Sequence, residues 1–442
     1  MMSVPLNRQY KAGQYRKYLL PALLLLFALI SVKLSRGIGP SSDWNVFYQA
    51  GINFSNKVSL YSRIGGAERY IYPPFAAMVF QVFHLLPFAV AAGIWIFLNW
   101  LIWLATLRVI LQLLSMFGVE PKLAKFCLLC GAVLSFRYVW YHAMYVQMNL
   151  LMLFLSLAAI LWFLQGRQWL AAACLCVAIS IKVLPVIVLA WLITKGNYKF
   201  PLKALVVLLI CTALPMVFRG FDMGIHDLRE YYFSFIEPFK QGRVEPDFQN
   251  YGLSAAIYKI VVPSTIRDNP GQYQYNLFNA TPETARLIYQ VSMGILLLLF
   301  TTIVCYTRFI AKKINLYEIS FILLLTHLLS GITWEYHLVS LLFVSTVFFL
   351  QVRRSNPRYV RVLHGVLITF MLLNAIIGKD TVGSYVYHLS CGYSFLTLLM
   401  LVLLIHSFKN VFSPQTPAVL LRQLPLSAGK AVTNMIEKTE IC

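Results

Sequence analysis

The sequence predicts an all-α polytopic membrane protein: a bundle of about twelve transmembrane helices with further helices in its extracytoplasmic loops. Three observations predict it. Hydrophobic residues make up 59% of the 442-residue chain and charged residues 12%, with a mean hydropathy of +0.70. A soluble protein carries about twice that charged fraction. Apolar runs recur from residue 18 to residue 407, the pattern of a chain that crosses a bilayer many times. The runs are continuous and do not alternate, which argues against a β-barrel.

The elements follow in order. Residues 1–17, with Arg8, Lys11, Arg16 and Lys17, read as a cytoplasmic N-terminus ahead of an outward-running helix at 18–35. No clear small-residue cleavage site accompanies that helix, so it reads as retained. An outer loop at about 36–73 holds Asp43, Arg63, Glu68 and Arg69, with a turn at Gly65-Gly66. Ser41, Ser42 and Asp43 are all residues that start helices. Trp44, Phe47, Tyr48 and Ile52 fall on one helical face, as in a helix lying in the membrane interface. Residues 75–86 are too short to span alone. They read as a re-entrant or interfacial piece, or as half of a broken helix with Pro87 at the break. Helices are then expected at 88–116, 123–140 and 148–165. Residues 168–195 are too long for one span and short for two. Two short helices meeting at a shallow outer turn would aim Lys182, beside Pro185, into a cavity on the outer side.

Further helices are expected at 202–218, 284–311, 316–331, 338–352, 361–377 and 388–407. Outer loops lie at about 219–283 and 332–337, and a basic cytoplasmic tail at 408–442, so that 18–407 forms one transmembrane domain. In the longest loop, Asp222, Asp227, Glu230 and Glu237 read as the solvated face of a helix. Most of the 16 acids fall on the outer side; acids matter little to insertion, so the skew speaks of use. No pair of broken helices in matching halves marks a transporter repeat.

The net charge of +21, from 37 Lys and Arg against 16 Asp and Glu, is explained by positive inner loops beside anionic lipid, with the bilayer as partner and no nucleic acid. Cys127-x-x-Cys130 sits among Phe and Leu in a span with no further ligand, so it reads as packing thiols. No P-loop, G-x-G-x-x-G, H-E-x-x-H or paired-Asp motif occurs, so neither a nucleotide nor a metal is called for.

The outer face collects the groups that carry chemistry. Asp43 stands either as a helix cap or as a base at the mouth of a span, where a carboxylate is costly. Lys182 stands either as a phosphate ligand or as a residue that snorkels or neutralises an acid. Arg137 either flanks its helix or joins the anion site. His142 and His337 are either satisfied polar residues at helix ends or functional ones. Gln147 and Asn149 suit hydrogen bonds between helices. Trp44, Tyr48, Tyr72, Trp334 and Tyr336 are either an interfacial belt or platforms for sugar faces. A base and cations at one membrane level suit a substrate with a lipid tail and a phosphate head: the carboxylate takes a proton from an incoming hydroxyl while cations receive the departing phosphate.

Read together, Asp43-Trp44-x-x-Phe47-Tyr48-x-Ala50, Tyr61, Tyr72-Pro73-Pro74, Gln147-x-Asn149, Ile181-Lys182-x-x-Pro185, Asn250-Tyr251-x-Leu253-Ser254 and Trp334-x-x-His337 resemble glycosyltransferase family 87, the polyprenol-phosphate-mannose-dependent mannosyltransferases of the GT-C membrane fold. The chain departs from the family at Val146, where Gly is frequent, and at Tyr251, where Gln is usual. The resemblance implies a GT-C-like bundle in a cell membrane, read here as a bacterial plasma membrane, with an extracytoplasmic active site and no cofactor. It implies Asp43 as the base, a first loop helix that shapes the cavity, and Lys182 and His337 near the donor phosphate with Arg137 and His142 as further candidates. Trp44, Tyr48, Tyr72, Gln147, Asn149, Asn250, Trp334 and Glu335 complete the expected cavity. The implied partners are a polyprenyl-phosphate sugar donor and a glycan or glycolipid acceptor. The rival reading is a transporter or flippase of a lipid-linked glycan, which needs polar groups along a full path through the bilayer. A third is a catalytically dead scaffold for other glycan enzymes.

Overall fold

The computed structural model describes residues 7–61, 69–196, 198–245, 247–263, 275–354, 358–414 and 416–420. Arg63, the Gly65-Gly66 turn, Glu68 and the tail beyond residue 420 lie outside the described residues. Helix α1 (Asn7–Ser35) packs along α4 (Phe88–Met116), with Phe27 stacked on Trp100 at 4.9 Å. Between them come α2 (Asp43–Ser55), α3 (Pro74–Phe80) and a 3-10 turn over Gln81–Leu85. The piece at 75–86 is thus a short helix and a 3-10 turn that end just before α4. Leu86 is extended, and Pro87, which lacks an N–H to continue the ladder, takes the cap of α4.

The expected interfacial face of α2 is turned inward instead. Trp44 and Phe47 are buried. Their rings meet Phe83 at 5.6 Å and Phe80 at 5.0 Å, while Tyr48 meets Phe88 at 5.2 Å. An aromatic face at helical spacing fits a membrane interface or a protein interior equally well, and here α3 supplies the interior. The approach is close: a Cβ on Gly51 would lie 2.8 Å from the Phe80 carbonyl.

Helix α5 (Pro121–Met144) starts at Glu120, whose carboxylate accepts the Lys122 and Leu123 amides at 3.0 and 2.9 Å. Those bonds favour the ionised form and hold its pKa below the usual range. Helices α6 (Asn149–Leu164), α7 (Gln168–Ile181) and α8 (Val186–Lys195) follow. Lys182 is extended in the break between α7 and α8, as the two-short-helix reading expects. Next come α9 (Lys199–Arg219) and α10 (Phe221–Tyr231), which runs through a π turn into α11 (Glu237–Lys240), then α12 (Leu253–Val261) and α13 (Pro282–Cys305). Helix α14 (Leu316–Leu328) is buried at every residue. Helices α15 (Leu341–Arg354), α16 (Arg358–Ile376), α17 (Lys379–Gly392) and α18 (Phe395–Val411) close the bundle. Among the described residues a small sheet also forms: β1 (Lys313–Asn315) pairs antiparallel with β2 (Ala418–Leu420), Ile314 opposite Val419, and so ties part of the tail to the start of α14.

The all-α membrane reading stands, but the count of about twelve crossings is not established. Among the described residues six helices are long and apolar enough to span, at 18–35, 88–116, 121–144, 199–219, 282–310 and 335–353; a pair at 361–376 and 381–392, bent by 114°, makes at most seven. The other apolar helices have 10–17 residues, about 15–25 Å, short of a hydrocarbon core of about 30 Å. Runs such as α14 are apolar because helices surround them, a cause that composition does not separate from lipid contact.

The contact of α5 with α15 is among the most extensive in the bundle, and Gly131 permits it. A Cβ there would lie 2.9 Å from the Leu342 carbonyl. Gly294, in α13, has nothing within 4 Å of such a Cβ. Alanine in place of glycine inside a helix ordinarily stabilises by about 0.5–1 kcal/mol. Gly294→Ala should therefore raise the melting temperature in detergent or leave it unchanged. Gly131→Ala should lower it by the cost of overpacking, about 1–3 kcal/mol.

Candidate active site

Asp43 is the first residue of α2, with Ser42 in the cap position before it. The partial positive charge of a helix start favours its carboxylate. Its bonds reach well beyond α2: Oδ2 accepts Gln147 Nε2 at 2.6 Å and the Tyr336 hydroxyl at 3.0 Å. Lys182 Nζ donates to Asn149 Oδ1 at 2.8 Å, lies 3.2 Å from His337 Nε2, and sits 5.7 Å above the Tyr72 ring. His337 Nδ1 accepts the Trp334 amide at 3.2 Å.

Gln147 and Asn149 join the two charged groups. A carboxylate only accepts and an ammonium only donates. That fixes the Gln147 NH2 toward Asp43 and the Asn149 oxygen toward Lys182. The remaining ends meet, Asn149 Nδ2 donating to Gln147 Oε1 at 3.4 Å. An unbroken run of hydrogen bonds therefore leads from Asp43 to Lys182 through two amides. Tyr336 closes it from the far side, since its carbonyl accepts Asn149 Nδ2 at 3.5 Å.

Asp43 and Lys182 line one cavity of about 1080 Å³ together with Tyr72, Gln147, Trp334, Glu335, Tyr336 and His337. Burial, helped by the Asp43 charge, pushes the Tyr72 phenol well above its usual pKa and keeps it a neutral donor. Asn149 stands behind this wall, outside the lining.

Five other expected residues also lie outside the lining, each with structural partners. Trp44 Nε1 donates to the Phe88 carbonyl at 3.4 Å and the Tyr48 hydroxyl to the Leu86 carbonyl at 2.8 Å, so both brace α2. Asn250 donates to the Glu245 and Gly331 carbonyls at 2.9 and 3.0 Å and accepts the Thr333 amide at 2.9 Å, holding two loops together. His142 Nε2 accepts the Leu150 amide at 3.0 Å, satisfying a donor that the start of α6 would otherwise leave open. Arg137 is turned to Glu335, which it grips with two bonds of 3.0 and 2.9 Å, and to the Asn374 carbonyl at 2.7 Å. Glu335 also accepts the Tyr251 hydroxyl at 3.1 Å.

The long loop departs most from the sequence reading. Asp227 is not solvated; it is fully buried in an ion pair with Arg219 at 2.8 Å. Glu230 accepts the Ser59 hydroxyl at 2.8 Å. His226, Asp227 and Glu230 form a group with metal-ligand spacing among the described residues, but the bond to Arg219 sets a cation where a metal's charge would lie. Beyond them the same loop brings Tyr231, Phe235, Phe239, Asp247 and Gln249 to the cavity. The i, i+4, i+8 spacing of the three rings was the available signal for this wall, and the reading of the loop by its acids passed over it.

A helical membrane protein whose wide cavity holds a positioned carboxylate and a lysine joined by hydrogen bonds belongs to the class of membrane-embedded enzymes. The chain belongs to glycosyltransferase family 87, whose family model matches residues 70–331. The match takes in Tyr72, Gln147, Asn149 and Lys182; Asp43 and the Trp334–His337 segment lie beyond its ends. A search of curated proteins finds no match.

The grip of Arg137 on Glu335 gives a test of this architecture. Arg137→Met leaves a carboxylate at 9% exposure without its ion-pair partner and should cost about 3–5 kcal/mol. Adding Glu335→Gln should recover most of the loss. Thermal unfolding of the two single variants and the double variant in detergent measures the coupling.

Proposed function

We propose that the protein is an inverting hexosyltransferase that takes a sugar, mannose in our reading, from a polyprenyl-phosphate donor and joins it to a hydroxyl of a lipid-linked or envelope glycan on the extracytoplasmic face. Residues 18–407 act as one catalytic unit. The observation that carries this reading is the shared cavity: a base and a cation face the same space, linked by two amides. Asp43 takes the proton of the acceptor hydroxyl. The hydroxyl oxygen attacks the anomeric carbon as the bond to the phosphate oxygen breaks, and the electron pair leaves on the phosphate. Lys182 meets that charge, with His337 beside it. With a single displacement and no protein nucleophile, the anomeric configuration inverts.

Replacing Asp43 by Asn keeps the size of the side chain and removes the base. Transfer from labelled polyprenyl-phosphate mannose in membranes should fall about 10²–10⁴-fold, the usual worth of a general base, while donor binding persists. Lys182→Met should weaken donor binding. Unchanged transfer by Asp43→Asn would sink this mechanism, and transfer from the glucose donor alone would correct the sugar.

A further inference from the structure

We propose that the Tyr231–Phe239 wall of the cavity is a subsite for a second sugar, so that the acceptor is an oligosaccharide bound through two of its rings. The proposal rests on the transfer reading above and adds the way the acceptor is held. Tyr231, Phe235 and Phe239 recur every four residues along one wall of the cavity. Tyr231 and Phe235 stack at 5.7 Å and 21°, and Phe235 meets Phe239 edge-on at 5.2 Å. Eight residues of α-helix cover about 12 Å, and even with the π turn shortening the segment it is longer than one pyranose ring. The last ring is fixed in place, because a Cβ on Gly331 would lie 2.6 Å from Phe239 Cδ1, so the ring rests on bare backbone.

The lining of the same cavity carries Asp247, Gln249 and Tyr387. Gln249 Nε2 donates to the Tyr387 hydroxyl at 3.0 Å, and the Gln249 amide donates to Asp247 Oδ1 at 2.8 Å. Rings take the C–H faces of a sugar, and carboxylate, amide and phenol groups take its edge hydroxyls. An isoprenoid tail in this place would offer the amide of Gln249 and the hydroxyl of Tyr387 no hydrogen bond. The polar groups therefore select sugar over lipid.

The wall also leads away from the donor end. Tyr72, beneath Lys182, touches Tyr70 at 5.7 Å; Tyr70 touches Tyr61 at 5.6 Å, and Tyr61 touches Tyr231 at 6.2 Å. The ring wall and the Lys182 site are thus two ends of one run of aromatic contacts within the same cavity.

The test uses the full chain in lipid nanodiscs and octyl glycosides of one or two mannose, glucose or galactose units, with binding read by equilibrium dialysis. At least one disaccharide glycoside should bind about 10-fold more tightly than its monosaccharide counterpart, the worth of one good ring contact. The gain should vanish in Phe239→Ala and persist in Phe239→Tyr. The proposal is overturned if no disaccharide gains over its monosaccharide, or if the gain survives Phe239→Ala. Where Phe239→Ala fails to fold, Gln249→Ala must shrink the gain, and an undiminished gain overturns the proposal equally. Failure of the transfer reading shows separately, as an Asp43→Asn protein that still transfers sugar.

Discussion

The arrangement of the cavity depends on a carboxylate and an ammonium, both half-buried, that two amides hold in register. Gln147 and Asn149 stand between them, each amide held in one orientation by the charge at its end. The polarity of the run is thereby fixed, with donors toward the carboxylate and acceptors toward the ammonium. Each charge is stabilised by a neutral dipole that an incoming hydroxyl or phosphate oxygen can replace or extend. Within a water-poor cavity such preoriented dipoles act more strongly than they do in water.

Holding Gln147 in place has a visible cost in the backbone. Val146 before it has φ of 51°, a left-handed conformation that β-branched residues avoid. The turn follows the hydrogen-bond pattern of a helix C-terminus, with the Gln147 amide reaching the His142 carbonyl at 3.1 Å, and glycine is the usual occupant of its left-handed position. Two donors on α4 clamp the next carbonyl: Trp95 Nε1 at 3.0 Å and Asn99 Nδ2 at 3.3 Å both reach Gln147 O. With His142 bonded to α6 on the other side, the surroundings over-determine the strained residue, as such conformations require. At Val146, where the chain departs from the family's glycine, the turn therefore carries strain that its neighbours hold in place.

Asp43, Lys182 and the break at Lys182–Pro185 were legible in the sequence because each breaks a local rule. An acid at a helix mouth and a lysine within an apolar run are costly, and the cost is visible residue by residue. Gln147-x-Asn149 was legible as a pair of hydrogen-bonding residues but not as a bridge, since the distance that matters is to residues more than thirty positions away. Arg137, read as flanking its helix or joining the anion site, is turned to Glu335, because the direction of a long side chain follows from packing and not from hydropathy. The number of spans was the least legible feature. Hydropathy measures an apolar surrounding, and in α14 that surrounding is other helices. The π turn and the small β1–β2 pair carry no periodic signal of their own.

The longest loop turns out to hold the helix that carries the acid. Arg219, the last residue of α9, donates to the carbonyls of Asn53 and Phe54 at 2.9 and 3.0 Å and to Val58 O at 2.7 Å. Asn53 and Phe54 lie in the last turn of α2, where carbonyls lack partners within the helix and a cation opposes the negative end of the dipole. Helix α2 is thus charged at both ends in the favourable sense, with Asp43 at its start and Arg219 at its finish. A guanidinium this deeply buried needs a counter-charge, and Asp227 of α10 supplies it. The Ser59–Glu230 bond adds a second tie to the same helix. Since α10 leads through the π turn into the wall of Tyr231, Phe235 and Phe239, the helix bearing the acid and the rings that line the cavity are fixed to one another by charge. A shift of one relative to the other would break a buried ion pair. The polar loop that composition marks as the least membrane-like part of the chain is therefore part of the scaffold of the cavity.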